Sequence, residues 1–154
     1  MYNNSNRNNA FRDNRNGGFN RKNESRTEIE LPDKLSKEDY VSQAEKVIGE
    51  LYKDRRNQIS TSKIRNFLSM ASAILDDEMR SSLPELLEES KNRLQLMRIR
   101  LIYECGRDKT TRIFVEKTKM IDYLKQVATK QDFLLYAHYL EALVAYHRFL
   151  GGKE

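Results

Sequence analysis

The chain has 154 residues, of which 33% are charged, and it carries a net charge of +5 and a single cysteine. This length is enough for about one domain, and one cysteine excludes an internal disulfide bond and a multi-cysteine metal site. The modest positive charge permits contact with nucleic acid without requiring it, because an ordinary solvated surface has a similar composition. No apolar run near the N-terminus could serve as a signal sequence, so we expect a cytoplasmic protein.

The first segment of the chain differs from the rest in composition. Residues 1–26 are rich in Asn, Arg, Gly and Ser, with Phe11 and Phe19 scattered among them. Such a segment buries too little apolar surface to offset the entropy of ordering it. We therefore predict a disordered tail over residues 1–30 and a helical bundle domain over residues 31–154. The composition of the tail is typical of segments that contact nucleic acid, and equally of a solubilising tail.

Apolar residues that recur three and four positions apart predict about five helices, with no competing strand pattern. Ser36 is the expected N-cap of the first helix, with Asp39 at the third position of a capping box, and this helix extends to about Lys53. Ser60 or Thr61 is the expected cap of the second helix.

The third helix is predicted to open at Ser82, with Pro84 in its first turn, and to end at Gly106. Its second half is apolar on two faces, so we expect one face to pack against the last helix and the other against a different surface. The apolar seam consists of Leu83, Leu87, Leu94, Met97 and Leu101, and the residues off that seam are Leu96, Ile99, Ile102 and Tyr103.

A fourth helix is predicted from Thr111 to Val127, and Thr129 is expected to cap the last helix, with Asp132 at its third position. Fourteen of the eighteen residues from 133 to 150 are apolar or aromatic. A helix that is apolar nearly all round must be surrounded, so we expect it to be the centre of a compact all-α bundle. Its four polar residues make it a poor candidate for a membrane span.

The histidines are the first candidates for a catalytic site. His138 and His147 are nine positions apart, so they point to opposite sides of a helix and cannot share a metal ion or a substrate. We interpret His138, Glu141 and Arg148 as a hydrogen-bonded polar seam between helices. A hydrolase centred on His138 and Glu141 is an alternative, but no nucleophile, metal motif or phosphate loop accompanies it. Cys105 is expected to be a buried structural thiol, and we predict no catalytic activity, cofactor or metal.

The basic residues offer a second kind of site. Lys63 and Arg65 lie in the first turn of the second helix, where free N–H groups and cations favour a phosphate. Several cations lie seven positions apart on one helix face, although Arg100 can pair with Glu104 and Arg112 with Glu116, each four positions away. The candidate phosphate contacts are Lys63, Arg65, Arg100, Arg107, Lys117 and Lys119, with Arg55 and Arg56 of the preceding loop as secondary candidates.

Three segments together resemble a known family. They are TSKIRNFL at residues 61–68, RLIYECGR at residues 100–107 followed by FVEK at 114–117, and the apolar run from residue 133 to residue 152. In order and spacing they resemble the small subunit of the type III-A CRISPR effector, the Csm interference complex, over residues 39–154. The Asn-rich tail departs from the usual form of that family.

This resemblance implies a small, all-helical, non-catalytic subunit. Copies of it are expected to stack as an inner filament beside the backbone and large subunits and to contact guide RNA and target RNA through phosphates. A subunit repeated along a guide of changing sequence must bind without reading bases, and Lys and Arg contacts to phosphates do that. The alternative is a helical adaptor that mediates protein–protein contacts only and binds no RNA.

Overall fold

The computed structural model describes residues 29–152 and 154, which form six α-helices and one 3-10 turn without a strand. The all-α prediction is confirmed. The predicted tail lies outside the described residues except for Ile29 and Glu30. The helices are α1 Tyr40–Leu51, α2 Thr61–Arg80, α3 Glu88–Arg107, α4 Lys109–Lys117, α5 Met120–Lys125 and α6 Lys130–Phe149, with the 3-10 turn Arg55–Asn57 between α1 and α2.

Helix α6 packs against α1 and α2 and contacts α5. Its aromatic residues Phe133, Tyr136 and Tyr139 are fully buried, which is consistent with its predicted place in the core. It is not surrounded on every side, however, because Phe149 is 82% exposed and a stripe of its polar residues faces solvent. The prediction that α3 packs against this helix is wrong: α3 packs mainly against α2, α4 and α5.

The ends of α1 and α6 follow local sequence signals. The Asp39 amide donates to the Ser36 hydroxyl at 3.2 Å, but the prediction of Ser36 as the N-cap is wrong, because α1 begins at Tyr40 and Asp39 is its N-cap. The predicted capping box of α6 is confirmed, with reciprocal hydrogen bonds between Thr129 and Asp132. Helix α6 ends where Gly151 adopts a φ of 78°, a backbone conformation that glycine reaches without strain.

Helix α3 begins at Glu88, six residues later than Ser82. Pro84 disfavours a helical conformation at the residue before it, and Leu83 is accordingly outside the helix and 54% exposed. Leu83 therefore does not belong to the apolar seam of α3. The fully buried carboxylate of Glu78 accepts a hydrogen bond from the Leu87 amide at 2.9 Å and so fixes the chain just before the helix starts.

The predicted stop at Gly106 is also wrong. Gly106 lies inside α3, and the helix ends at Arg107. The next residue, Asp108, is the C-cap of α3 and the N-cap of α4, and its side chain accepts a hydrogen bond from the Thr111 amide at 3.1 Å. One residue therefore separates the two helices.

The predicted fourth helix is two helices, α4 and α5, that meet at a break. Lys119 adopts the left-handed conformation with a φ of 54°, which ends the regular α-helical path. Two tyrosines of α6 bind the carbonyl groups at this break: Tyr139 donates to Thr118 O at 2.9 Å and Tyr136 to Met120 O at 3.1 Å. Because buried carbonyl groups need partners, these hydroxyls stabilise a break that propensity alone does not predict.

Candidate nucleic-acid interface

A groove of about 1010 Å³ runs between α2 and α3. Its floor is apolar and includes Phe67, Ile74 and Met97, which belong to the core. Cations from both helices line it. Those of α3 follow one another at intervals of seven residues, and residues at that spacing share one helix face. These cations are Lys63, Arg93, Arg100 and Arg107.

Lys63 is held in the wall of this groove by an ion pair with Asp108. The same carboxylate accepts hydrogen bonds from the hydroxyl groups of Thr110 and Thr111 at 2.8 and 2.5 Å. The Lys63 ammonium and then the Thr111 hydroxyl hold the pKa of Asp108 well below its usual range. Lys63 therefore connects α2 to the junction of α3 and α4, in addition to placing a charge at the groove.

Arg100 and Arg107 flank the same two residues of α3. Both approach the Glu104 carboxylate, at 3.3 and 3.8 Å, which confirms the expected pairing of Arg100 with Glu104. Both guanidinium groups also lie over the ring of Tyr103, at 5.9 and 5.4 Å from its centroid, a cation–π arrangement. Each guanidinium side chain is more than half exposed, so both remain accessible to an anion.

The groove is less positive than its cations alone suggest. Arg93 forms an ion pair with Asp77 of α2, and the other three cations have the carboxylate partners described above. Every cation that lines the groove therefore has a carboxylate partner. An incoming phosphate must compete with these carboxylates.

The remaining predicted contacts do not line the groove. Arg65 is exposed on α2, and Arg55 and Arg56 are exposed on the 3-10 turn. Lys117 is exposed at the end of α4, and Lys119 at the break after it pairs with Asp33 at 3.2 Å. The structure thus brings Lys63, Arg100 and Arg107 together in the groove, whereas the other five lie outside its lining.

Asp108 is the site residue that sequence reasoning missed. Aspartate is among the strongest N-cap residues, and it stands directly before the first residue of α4. Gly106, two positions earlier, indicates a helix end at the wrong residue, and this prediction obscured the N-cap signal of Asp108. Arg93 shares a helix face with Arg100, seven positions away, but is not among the predicted contacts.

The predicted polar seam of α6 is not buried. His138, Glu141 and Arg148 are exposed, His138 stacks on Tyr40 with ring centroids 6.4 Å apart, and Arg148 pairs with Glu154 at 2.8 Å. The seam interpretation is therefore wrong. Helices α1 and α2 cover the side of α6 that faces away from this stripe, and the stripe is exposed to solvent.

The other histidine is the buried one. His147 is 1% exposed; the Tyr52 hydroxyl lies 2.7 Å from its Nδ1, and the Thr61 hydroxyl 3.1 Å from its Nε2. Burial, and secondarily the charge of Arg148, lowers the pKa of His147. This histidine is a hydrogen-bonded core residue that connects α6 to the end of α1 and the start of α2.

Cys105 is half-buried rather than fully buried, and burial raises the pKa of its thiol. No group of three or more His, Cys, Asp or Glu side chains in the described part of the chain is arranged to hold a metal ion. None of the described helices combines the length and apolarity needed to cross a bilayer.

The fold and the groove define a small all-α protein with a groove lined by ion-paired cations between two of its helices. The family model Csm2 Type III-A matches residues 34–153. The chain is 33% identical over 122 residues to the CRISPR system Cms protein Csm2 of Streptococcus thermophilus, a match that covers 78% of this chain and 98% of that protein. It is 32% identical over 118 residues to the Csm2 protein of Mycobacterium tuberculosis, covering 76% and 95% of the two chains.

A third relative is the Csm2 protein of Enterococcus italicus, which is 36% identical over 96 residues, with 60% of this chain and 69% of that protein covered. The chain belongs to the Csm2 family, the small subunits of type III-A CRISPR systems. The resemblance seen in the sequence is confirmed.

Proposed function

We propose that this chain is a non-catalytic structural subunit of a cytoplasmic type III-A CRISPR ribonucleoprotein, in which it contacts the guide–target RNA duplex through phosphates. The observation that carries the proposal is the cationic groove between α2 and α3, with the exposed guanidinium groups of Arg100 and Arg107 at its edge. A groove lined by Lys and Arg binds a sugar–phosphate backbone without reading its sequence.

The ion pairs in the groove differ in how easily a phosphate can displace them. The pairs of Arg100 and Arg107 with Glu104 join residues of one helix, and their guanidinium groups are exposed to water, which weakens an ion pair to about 1 kcal/mol or less. The Lys63–Asp108 pair is reinforced by two threonine hydroxyls. We therefore assign direct phosphate contact to Arg100 and Arg107, and to Lys63 mainly a contribution to the local field.

The other predicted cations extend this surface. Arg55, Arg56 and Arg65 form no ion pair with any residue of the described part of the chain, and the 3-10 turn lies three residues before α2. They are available to RNA at the end of α2 that carries Lys63. Lys117 and Lys119 belong to the same proposal as contacts at the α4–α5 break.

The exposed side of α3 supports contact with other proteins. Leu96 and Ile99 are 64% and 63% exposed, and Ile102 and Tyr103 are also exposed. A group of large apolar side chains on one surface marks a protein interface. We propose that this surface contacts other subunits of the complex, including the backbone and large subunits and copies of itself. It is also the observation that favours the alternative, an adaptor that binds only protein.

The test uses the assembled complex with Arg100→Glu and Arg107→Glu combined. We expect weaker retention of target RNA and a salt slope reduced by about two, since each lost phosphate contact removes about one. The matched control is Lys37→Glu with Lys46→Glu, which makes the same charge change at exposed cations near α1. Unchanged retention and slope in an intact complex would favour the adaptor.

The adaptor hypothesis has its own measurement. Replacing Ile99 and Ile102 together by Asp should release the subunit from the copurified complex, because a charge at each position opposes burial against a partner. Both residues lie outside the groove, whereas Leu96 lines it. If copurification survives this change, the apolar side of α3 is not the interface between subunits.

A further inference from the structure

Helix α3 carries a second set of cations on the flank that faces α5. A cleft of about 280 Å³ lies between the two helices, with Leu86, Leu94 and Leu124 as its apolar floor. None of the described residues that line this cleft is acidic. Its polar rim consists of Lys91, Gln95, Arg98 and Lys125.

The cations of this cleft are less neutralised than those of the α2–α3 groove. Lys91 pairs with Glu88 at 2.5 Å, whereas neither Arg98 nor Lys125 forms an ion pair within residues 29–152 and 154. Asp122 precedes Lys125 by three positions on α5 and is exposed, but it does not pair with it. The cleft therefore has two cations at its rim that form no ion pair with the described residues.

The position of Arg98 strengthens its attraction for an anion. Its side chain is half-buried, unlike those of Arg100 and Arg107, and a long basic side chain in such a position buries its stem while its charged end stays in water. A charge beside an apolar surface is less screened by water than a fully exposed one. Arg98 can donate two parallel hydrogen bonds to a phosphate, and Lys125 adds a point charge.

We propose that this cleft binds a phosphodiester group of RNA, with Arg98 and Lys125 as direct contacts and Gln95 as an additional amide donor. The inference rests on the proposed function and adds a second RNA-contact site to it. Helix α3 then meets RNA phosphates on two flanks, through Arg100 and Arg107 towards α2 and through Arg98 towards α5. The cleft is too small to hold a helix of a partner protein, and its volume is near the lower limit for small-ligand sites.

The experiment measures retention of a target RNA by the assembled complex for three double variants. These are Arg98→Glu with Lys125→Glu in the cleft, Arg100→Glu with Arg107→Glu in the groove, and the control Lys37→Glu with Lys46→Glu. We expect the cleft variant to weaken RNA affinity about tenfold or more, because the phosphate contacts of two cations are lost, and to lower the salt slope by about two. The control should leave both quantities unchanged.

Neutral variants keep the test independent of folding. Arg98→Gln with Lys125→Gln should give the same direction of effect with a smaller loss, and far-UV circular dichroism checks that the helices persist. A cleft variant that retains RNA with an unchanged salt slope, while the groove variant loses it, overturns the inference and leaves the proposed function standing. If both the cleft variant and the groove variant retain RNA, the inference and the proposed function both fail.

Two further readouts separate other occupants of the cleft. If the cleft variant loses protein subunits before it loses RNA, the cleft is a protein contact and the inference is overturned. Inorganic phosphate titrated into the full chain tests for a free-anion site. Saturable binding that depends on Arg98, combined with unchanged RNA retention by the complex, would also overturn the inference.

Discussion

The hydroxyl of Tyr52 lies 2.7 Å from Nδ1 of His147, which is 95 residues further along the chain. The same hydroxyl donates a hydrogen bond to the carbonyl oxygen of His147 at 2.9 Å, so it accepts one from Nδ1–H, and the Thr61 hydroxyl then donates to Nε2. This arrangement satisfies a neutral imidazole completely. It joins the end of α1, the start of α2 and the end of α6 at one point.

Removing the Tyr52 hydroxyl should destabilise the fold. Tyr52→Phe leaves the Nδ1–H of a buried histidine without a partner, and an unsatisfied buried donor costs about 1–3 kcal/mol. The free energy of unfolding in urea should fall by this amount. Tyr103→Phe removes a hydroxyl from an exposed ring and serves as the control, with no change expected. Equal stability of the two variants would contradict this assignment.

The stability of the protein should decrease on mild acidification because of His147. Its pKa in the folded state is lowered by burial, so the unfolded state binds a proton first as the pH falls below about 6.5. The unfolding free energy then falls by up to about 1.4 kcal/mol per pH unit and is unaffected by this group at higher pH. Urea titrations at several pH values measure the effect.

The exposed histidine provides the comparison for that titration. His138→Gln should retain the acid sensitivity, whereas His147→Gln should lose it even if its overall stability is lower. If the acid response disappeared in the His138 variant instead, the assignment of the effect to His147 would be wrong.

Two substitutions of Asp108 separate its role as the N-cap of α4 from its role as the ion-pair partner of Lys63. Asp108→Ala removes the N-cap of α4 and should cost about 2 kcal/mol of unfolding free energy, whereas Asp108→Asn keeps a capping side chain and should cost less than about 1 kcal/mol. Because the folded pKa of Asp108 is depressed, its stabilisation is complete above about pH 5 and is lost as the pH falls towards that depressed value.

The asparagine variant also tests the charge balance of the groove. Asp108→Asn removes the carboxylate partner of Lys63, so the complex should retain RNA more tightly and with a salt slope steeper by about one. Retention that is unchanged by this substitution would indicate that Lys63 lies beyond the reach of a phosphate.

Glu78 is a fully buried carboxylate whose Oε2 lies 3.9 Å from the Nζ of Lys130. Lys130→Met should leave that charge without its ion-pair partner and cost about 3–5 kcal/mol of unfolding free energy. Lys130 also donates to Ser81 O at 2.9 Å, so the α2–α3 connection should become more accessible to amide hydrogen exchange. Lys125→Met, at an exposed position, is the control for stability.

The small size of Gly152 is required by its contacts. A Cβ atom at this position would lie 2.2 Å from His147 Nε2 and 2.4 Å from the Tyr52 hydroxyl oxygen, so Gly152→Ala must separate that hydrogen-bonded group. We expect a loss of about 1–3 kcal/mol in unfolding free energy. Gly49→Ala, which meets no atom within 4 Å inside α1, should instead stabilise by about 0.5–1 kcal/mol.

Sequence alone predicted those elements whose signals are local. The box formed by Thr129 and Asp132 spans three residues, and the all-α class follows from periodicity that no strand pattern contradicts. The left-handed conformation of Lys119 has no such signal, because its stabilising partners Tyr136 and Tyr139 come from a different helix. The number of helices was therefore one too low.

The sequence predicted which residue types form the candidate site, but it predicted only part of their arrangement in space. Arg100 and Arg107 share a face by their spacing, and the sequence shows this directly. The ion pair of Lys63 with Asp108 joins residues 45 positions apart, so only the fold could show that this cation is already engaged. The spacing of His138 and His147 correctly predicts that they lie on opposite sides of α6. Which of the two sides is buried depends on where α1 and α2 pack.

The single-residue junction at Asp108 also limits how the chain can vary in length. Each residue added to a helix turns everything after it by about 100°. An insertion between Asp108 and α4 would therefore rotate α4 away from α3 and carry Thr110 and Thr111 out of reach of the Asp108 carboxylate that binds Lys63. Relatives that keep this groove should align through residues 107–109 without a gap and place their length differences elsewhere.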